Sequence, residues 1–527
     1  MLRERLGLRT LKDGCSPQGQ CGCCTVWVDG APRVACVTPA RRVDGRAVTT
    51  LDGLPEDDRR AWAEALVATG GSQCGFCTPG IVMRLAALAG DVGPGGPPGR
   101  AVVDQALLAH LCRCTGWQTI AEAADNVLGA VDGPGPGAGG AAPSSSTGRD
   151  LRAAAVRAAL EGGVEQRVGT DVVLGEAGFA DDTGPADALV AVVAGAGYAV
   201  AGSLPEARAL AGKVQGRSTT IPLTHPVAVP DGEWELTLST TWVEPAYLEP
   251  DASWCVPGGT PASPYGNGGS FGGKLRSPVA GDARRLADEH GRAVRVLWSR
   301  EDVVRRGPKR PPVGAGVRPD GTGIVRVGVS GDGFDGIAWD EVVAEVSAVA
   351  PGIVLERVAV AGPHTAPELR AAVWAEAAVL VAAARLGRRG TPVHDVPVEV
   401  VAPSGGRAVA RCRTDGSLDV EVAAGDVLDA VVLRSYAIGA THQALGWVRS
   451  EGIAVSVDGV VQDLTVRSFG ILQARAVPPV TVRVVDDPGS PPVNGSDAVF
   501  AAVAAARWLA DGLPPAWPTD RAGAGRR

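Results

Sequence analysis

The chain has 527 residues, 45% of them apolar and 20% charged, with a formal net charge of −8. That length suits roughly three to four domains with buried cores, and acidity spread along the chain excludes a nucleic-acid module, which would be basic. The longest apolar stretch, residues 188–204, is mostly Gly and Ala and too short to span a bilayer, and the first residues lack a signal-peptide core, so the expectation is a cytoplasmic protein with no membrane partner.

In chain order, the first predicted element is a short helix over residues 2–8. Nine of the eleven cysteines then fall within the first 114 residues. Cys15-x5-Cys21-x2-Cys24, followed by Cys36, forms one group; Cys74-x2-Cys77 with Cys112-x-Cys114 forms the other. A disulfide framework belongs to small secreted chains, so thiols clustered in this one point to metal or redox chemistry. Zinc and iron–sulfur clusters both take four thiolates, and the count does not separate them. Two features favour iron–sulfur over zinc. Gly14, Gly19 and Gly22 let loop amides turn inward toward cluster sulfides, and Cys112-Arg113-Cys114 is too tight for an ordinary zinc knuckle. Cys23, between two ligand positions, reads as a bystander.

Residues 79–90 and 102–112 carry helical apolar spacing. Residues 131–149 are Gly/Pro/Ser/Ala-rich and read as a linker. Beyond it, strands are predicted over 190–193, 294–298, 398–401 and 480–485, and helices over 367–385 and 498–510.

CSPQGQCGCCTV, SQCGFCTPG and LCRCTGW, in that order, resemble the paired [2Fe–2S] domains of the xanthine dehydrogenase/aldehyde oxidase family, the molybdenum hydroxylases, over roughly residues 1–130. The resemblance implies two [2Fe–2S] clusters, one held by Cys15, Cys21, Cys24 and Cys36, the other by Cys74, Cys77, Cys112 and Cys114 in a helical bundle. It also implies that Gln73 and Cys114 lie beside the pterin of a molybdenum cofactor. Family members begin with a β-hairpin before the cluster loop. Here the chain starts almost at the helix, so the expectation is a late-called start or a compromised first domain.

Later segments resemble the molybdenum-cofactor subunit of the same family. GTDVVLGEAGFADD (169–182) is similar to the opening of an α/β-hammerhead domain, EPAYLEPDASW (244–254) to the entry of the cofactor domain, and GNGGSFGGK (266–274) to its glycine loop. The resemblance places Gly268, Gly269, Phe271 and Gly272 against a molybdopterin-type cofactor, with Gln443 favoured over His442 as a further neighbour. The other histidines show no ligand spacing. The implied fold is α+β and multidomain. It comprises a truncated β-grasp ferredoxin-like domain (1–53), a helical [2Fe–2S] domain (54–130), a linker (131–150), a hammerhead-like region (151–243) and a reduced molybdopterin-binding-like domain (244–527).

The family's catalytic glutamate, just before a final helix, reads Ser496 here, and a serine hydroxyl is a far weaker base. Asp497 is the neighbouring carboxylate, although both residues can simply cap a helix beginning near Ala498. Two cofactor loops of the family are not found, and Leu275 follows the loop lysine where purine-oxidising members carry glutamate. The implied function is an iron–sulfur oxidoreductase passing electrons from a molybdopterin site through both clusters to an external acceptor. The alternative is an electron-transfer or assembly subunit with a degenerate molybdenum domain. Implied partners are a flavoprotein or other redox partner, a small aldehyde or N-heterocycle substrate, and a second copy of the chain.

Overall fold

The computed structural model describes residues 1–89, 98–129, 148–212 and 221–520. Most of the expected linker therefore lies outside the described residues. Helix α1 (Leu2–Leu6) is shorter than expected because Gly7, in the left-handed region, closes it. Strands β1 (Thr25–Val28), β2 (Ala31–Val34) and β3 (Val48–Thr49) form an antiparallel sheet in the order β2-β1-β3. Asp29-Gly30, both at positive φ, makes the tight β1–β2 turn. Val26 and Val28 point to one face and bury against Leu11.

A helical unit follows: α2 (Glu56–Thr69), α3 (Thr78–Ala89), α4 (Arg100–Ala106) and α5 (Gln118–Leu128). The helix expected to reach residue 112 stops at Ala106, apart from a 3₁₀ turn over Leu107–Ala109. Tertiary bonds take over there. The Leu111 N–H donates to the Cys21 carbonyl, and His110 Nε2 reaches Thr25 and the Gly80 carbonyl. This extended backbone aims the next two cysteines at the first pair rather than along a helix.

Helix α6 (Leu151–Gly162), capped by the Asp150 carboxylate, leads through single turns α7 (Thr170–Val173) and α8 (Ala180–Thr183) into β4 (Leu189–Ala194), β5 (Gly197–Ala201) and α9 (Leu204–Ala211). Next come β6 (Leu236–Ser239), β7 (Ala252–Cys255), α10 (Val279–His290) and β8 (Val294–Leu297). A mixed sheet β5-β4-β8-β7 joins strands from both sides of residue 243.

After α11 (Arg300–Arg306), strands β9 (Val313–Val317) and β10 (Gly323–Val329), helix α12 (Gly336–Val349) and β11 (Ile353–Ala359) complete a sheet ordered β11-β10-β9-β6. Helix α13 (Trp374–Leu386) starts seven residues later than expected. Ala371 and Val373 have positive φ, and Arg310 takes the Arg370 carbonyl that a helix would use. Last come β12 (Val398–Val401), β13 (Arg407–Cys412), β14 (Leu418–Ala423), α14 (Ala430–Arg449), β15 (Val480–Val485) and α15 (Ser496–Ala510). Their sheet runs β12-β13-β14-β15. The strands expected over 190–193, 294–298, 398–401 and 480–485 match β4, β8, β12 and β15.

Two cores organise the chain. Helices α13, α14 and α15 pack against the last sheet and the β9–β10 pair in one apolar core. In the second, Cys15, Cys21, Cys77, Cys112 and Cys114 are buried together with Trp242, Phe271, Leu464 and Phe469. The cysteine-bearing segments and residues beyond 240 thus share one interior. Among the described residues no helix is long and apolar enough to cross a membrane.

Candidate functional site: two cysteine groups and the space beside them

The eight cysteines singled out by spacing come together in two groups of four. In the first group the Cys15 side chain meets those of Cys21 and Cys36, and Cys36 also meets Cys24. In the second, the Cys74 and Cys114 Sγ atoms are 3.6 Å apart and Cys77 meets Cys112. Among the described residues no group of three or more His, Cys, Asp and Glu side chains is arranged to hold one metal ion. Cys23 also meets the Cys21 side chain, and its Sγ is directed at the Cys21 carbonyl.

Backbone amides and hydroxyls point at these sulfurs, as charge on a thiolate requires. The Gln18 N–H donates to Cys15 Sγ at 3.3 Å, the Cys36 N–H to Cys24 Sγ at 3.5 Å, and Thr115 Oγ1 lies 3.2 Å from Cys112 Sγ. Bonds from the Cys77 thiol and Thr115 outweigh burial and bring the Cys112 thiol down to about 6. Cys112 is thereby favoured as a thiolate, the ligand form.

The glycine loop packs directly on the second group. Gly269 has φ of 78°, and a Cβ there would stand 3.0 Å from Cys74 Sγ and 3.2 Å from Cys114 Sγ. Only a residue without a side chain lets the backbone approach so closely. The Phe271 ring lies under the Arg370 guanidinium at 4.8 Å, and Gly268 packs on the Gln166 side chain. Gln73 Nε2 donates to the Cys114 carbonyl at 3.1 Å and to Ser435, and Gln443 Nε2 donates to the Arg113 carbonyl at 3.0 Å. Gln73 Oε1 is buried with no partner. His442 lies on the same helix, but its Nε2 donates to the Leu472 carbonyl instead.

The space around these residues is filled by buried ion pairs. Arg113 pairs with Glu451, Arg310 with Glu376, Lys309 with Glu244, and Lys274 with Glu249. Burial, only partly offset by Lys274, pushes the Glu249 carboxyl up to about 7. The openings left are small. One of about 40 Å³ lies between Gln443, Phe271 and Arg370, and one of about 10 Å³ between Cys74, Gly269 and Lys274. A far larger cavity, about 680 Å³, opens on the other side of the first group, bordered by Cys24, Cys36 and Val26.

At the start of α15 the expected serine–aspartate cap is not formed. The helix begins at Ser496 itself, and the buried Glu161 carboxylate from α6 accepts the N–H groups of Gly495 and Ser496. A carboxylate there offsets the unpaired N–H groups and the positive helix end. The Ser496 hydroxyl and the Asp497 carboxylate both accept from Arg370, at 2.7 and 2.9 Å. Glu161 and His110 were not legible as site residues, since their partners lie far away in sequence.

Comparison with known proteins gives a consistent picture. Residues 50–125 match the family model described as a [2Fe-2S] binding domain. The chain is 39% identical over 130 residues to the nicotine 6-hydroxylase small subunit of Paenarthrobacter nicotinovorans, covering 25% of this chain and 76% of that one. It is 37% identical over 144 residues to an aldehyde oxidoreductase of Megalodesulfovibrio gigas, where the match spans 26% of this chain but only 15% of that protein. The solved aldehyde oxidoreductase from Desulfovibrio gigas superposes with a TM-score of 0.67 at 14% identity, covering 97% of this chain and 95% of that one. This likeness bears on the fold, a mixed α+β multidomain architecture with several small sheets.

Proposed function

The chain belongs to the molybdenum hydroxylase family, and from that premise we propose that it is an iron–sulfur oxidoreductase acting as a two-cluster electron carrier. Cys15, Cys21, Cys24 and Cys36 hold one [2Fe–2S] cluster, and Cys74, Cys77, Cys112 and Cys114 hold the other. The observation that carries this reading is the gathering of the eight thiols into two groups of four, the number a binuclear cluster takes. When bound, such clusters supply one-electron redox chemistry at potentials that the surrounding protein sets.

The chain's own residues do the remaining work. The amides of Gln18 and Cys36 and the hydroxyl of Thr115 stabilise negative sulfur. Gly269 packs on the Cys74–Cys114 pair, and Arg113–Glu451 ties the second cysteine loop to the large domain. We keep the division into a ferredoxin-like unit (1–53), a helical unit (54–130), a linker (131–150), a hammerhead-like region (151–243) and a reduced cofactor-like domain (244–527). A flavoprotein or other redox protein is the partner this reading requires.

The relatives support a molybdopterin-type molybdenum cofactor beside the clusters, and this chain's residues that would face it are those of the glycine loop with Gln73, Cys114 and Gln443. Openings of about 40 Å³ and 10 Å³ lie beside Gln443 and Gly269, and one of about 420 Å³ is bordered by Gly273 and Arg276 of the same loop region. The positions expected to face the group, Gln73, Cys114, Gly268, Gly269, Phe271, Gly272 and Gln443, lie against protein. Ser496 and Asp497 are both held by Arg370.

One atom favours the second reading, a molybdenum hydroxylase acting on an aldehyde or N-heterocycle: Gln73 Oε1, buried without a partner beside Cys114. Anaerobic purification from a host that makes the cofactor, followed by iron, molybdenum and pterin analysis, separates the two. The carrier reading expects iron without molybdenum. Stoichiometric molybdenum and pterin overturn it in favour of the hydroxylase.

A further inference from the structure

The two cysteine groups differ in the charge placed beside them. At the second group the nearby guanidinium, Arg113, is neutralised by both oxygens of Glu451, at 2.5 and 2.7 Å. At the first group the Asp13 carboxylate is paired with Arg208, while two guanidiniums are held by carbonyls: Arg300, buried on the Gly14 carbonyl beside Cys15, and Arg467, contributed by the large domain. Arg467 sits in the short turn Val466–Phe469, which clamps onto the cysteine loop. Gln18 binds the Leu464 carbonyl and the Val466 N–H, while Gln20 Oε1 accepts the Arg467 N–H. The Arg467 side chain then donates Nε to the Gln20 carbonyl at 3.0 Å and Nη2 to the Leu108 carbonyl at 2.6 Å.

Its hydrogen-bond partners are thus carbonyls, which hold the guanidinium without cancelling its charge. The charges acting on it are those of Cys21 and Cys15; among the described residues no carboxylate neutralises it. A fixed cation in a partly buried site acts over longer range than one in water. Each electron added to a cluster makes it more negative, so an uncompensated positive charge stabilises the reduced state and raises the potential. Resting on the two-cluster reading above, we propose that Arg467 is a positioning residue that sets the first group apart as the higher-potential site, so that electrons collect on the side of Cys15, Cys21, Cys24 and Cys36. The large domain thereby has a role in electron transfer that needs no cofactor of its own.

The test is a dithionite titration of the full chain followed by EPR, comparing wild type, Arg467→Gln, Arg467→Lys and Gln20→Glu. The first-group signal is assigned by its loss in Cys15→Ser. Arg467→Gln is expected to lower that signal's reduction equilibrium constant at least tenfold, which is about 59 mV for a one-electron couple, and to leave the other signal in place. Arg467→Lys keeps the charge and is expected to titrate within threefold of wild type, which a purely structural role would not require. Gln20→Glu sets a carboxylate beside Arg467 without removing it, and is expected to shift the same signal downward. An unshifted first signal in Arg467→Gln overturns the proposal; if that variant does not fold, an unshifted signal in Gln20→Glu overturns it. Absence of the first signal from wild type overturns the two-cluster reading itself.

Discussion

Arg113, between Cys112 and Cys114, is gripped by both carboxylate oxygens of Glu451, and both side chains are buried. Removing one partner of such a pair leaves a charge in a dry interior, at a cost of about 3–5 kcal/mol. Glu451→Ala is therefore expected to lower unfolding stability by that order in urea titrations and to release the second cluster. Stability within about 0.5 kcal/mol of wild type, the usual range for a surface substitution, would contradict the assigned contact.

Gly269 gives a local test of the loop's placement. Its positive φ and the short distances to Cys74 and Cys114 leave no room for a branched side chain. Gly269→Val should alter or abolish the EPR signal assigned to the second cysteine group while the first persists. Two unaltered signals would mean that the loop does not lie on Cys74.

Paired cysteine substitutions check the ligand sets. Cys77→Ser removes a ligand of the second group alone, and Cys24→Ser one of the first. Each should remove one signal and about half the iron. Cys23→Ser, by contrast, should retain both signals, because serine can keep the bond that the Cys23 side chain makes to the Cys21 carbonyl.

Burial, reinforced by Arg113, brings His442 down to about 4, and its Nδ1 has no partner. The folded state thus holds the ring neutral, while the unfolded chain takes up a proton near the ordinary value of about 6.5. Because the folded pKa is depressed, His442's contribution is fully present above about pH 6.5 and is lost as pH falls toward about 4. Melting temperatures measured across that window should fall more steeply for wild type than for His442→Gln. Equal slopes would contradict a buried neutral histidine.

The cysteine chemistry was legible because it is written in local spacing: Cys74-x2-Cys77 and Cys112-x-Cys114 need few residues to declare themselves. Strands such as Val398–Val401 and Val480–Val485 were legible from runs of β-branched residues. The helix boundaries near Cys112 and Trp374 were not, because bonds from Cys21, Thr25 and Arg310, distant in sequence, override local helical pattern there. The same distance hid Glu161 at the head of α15 and Arg467 beside the first cysteine group. Motif resemblance identified the glycine loop, but the ion pairs filling the space beside it depend on contacts between Arg113 and Glu451 or Lys309 and Glu244 that no motif records.

On the proposed reading the chain carries two binuclear clusters on eight cysteines in two groups of four. The most direct test is low-temperature EPR of anaerobically purified, dithionite-reduced protein, with iron and sulfide measured on the same sample. The account predicts two distinguishable [2Fe–2S] signals and about four irons per chain. Zinc in place of iron, or a single signal with about two irons, would contradict it.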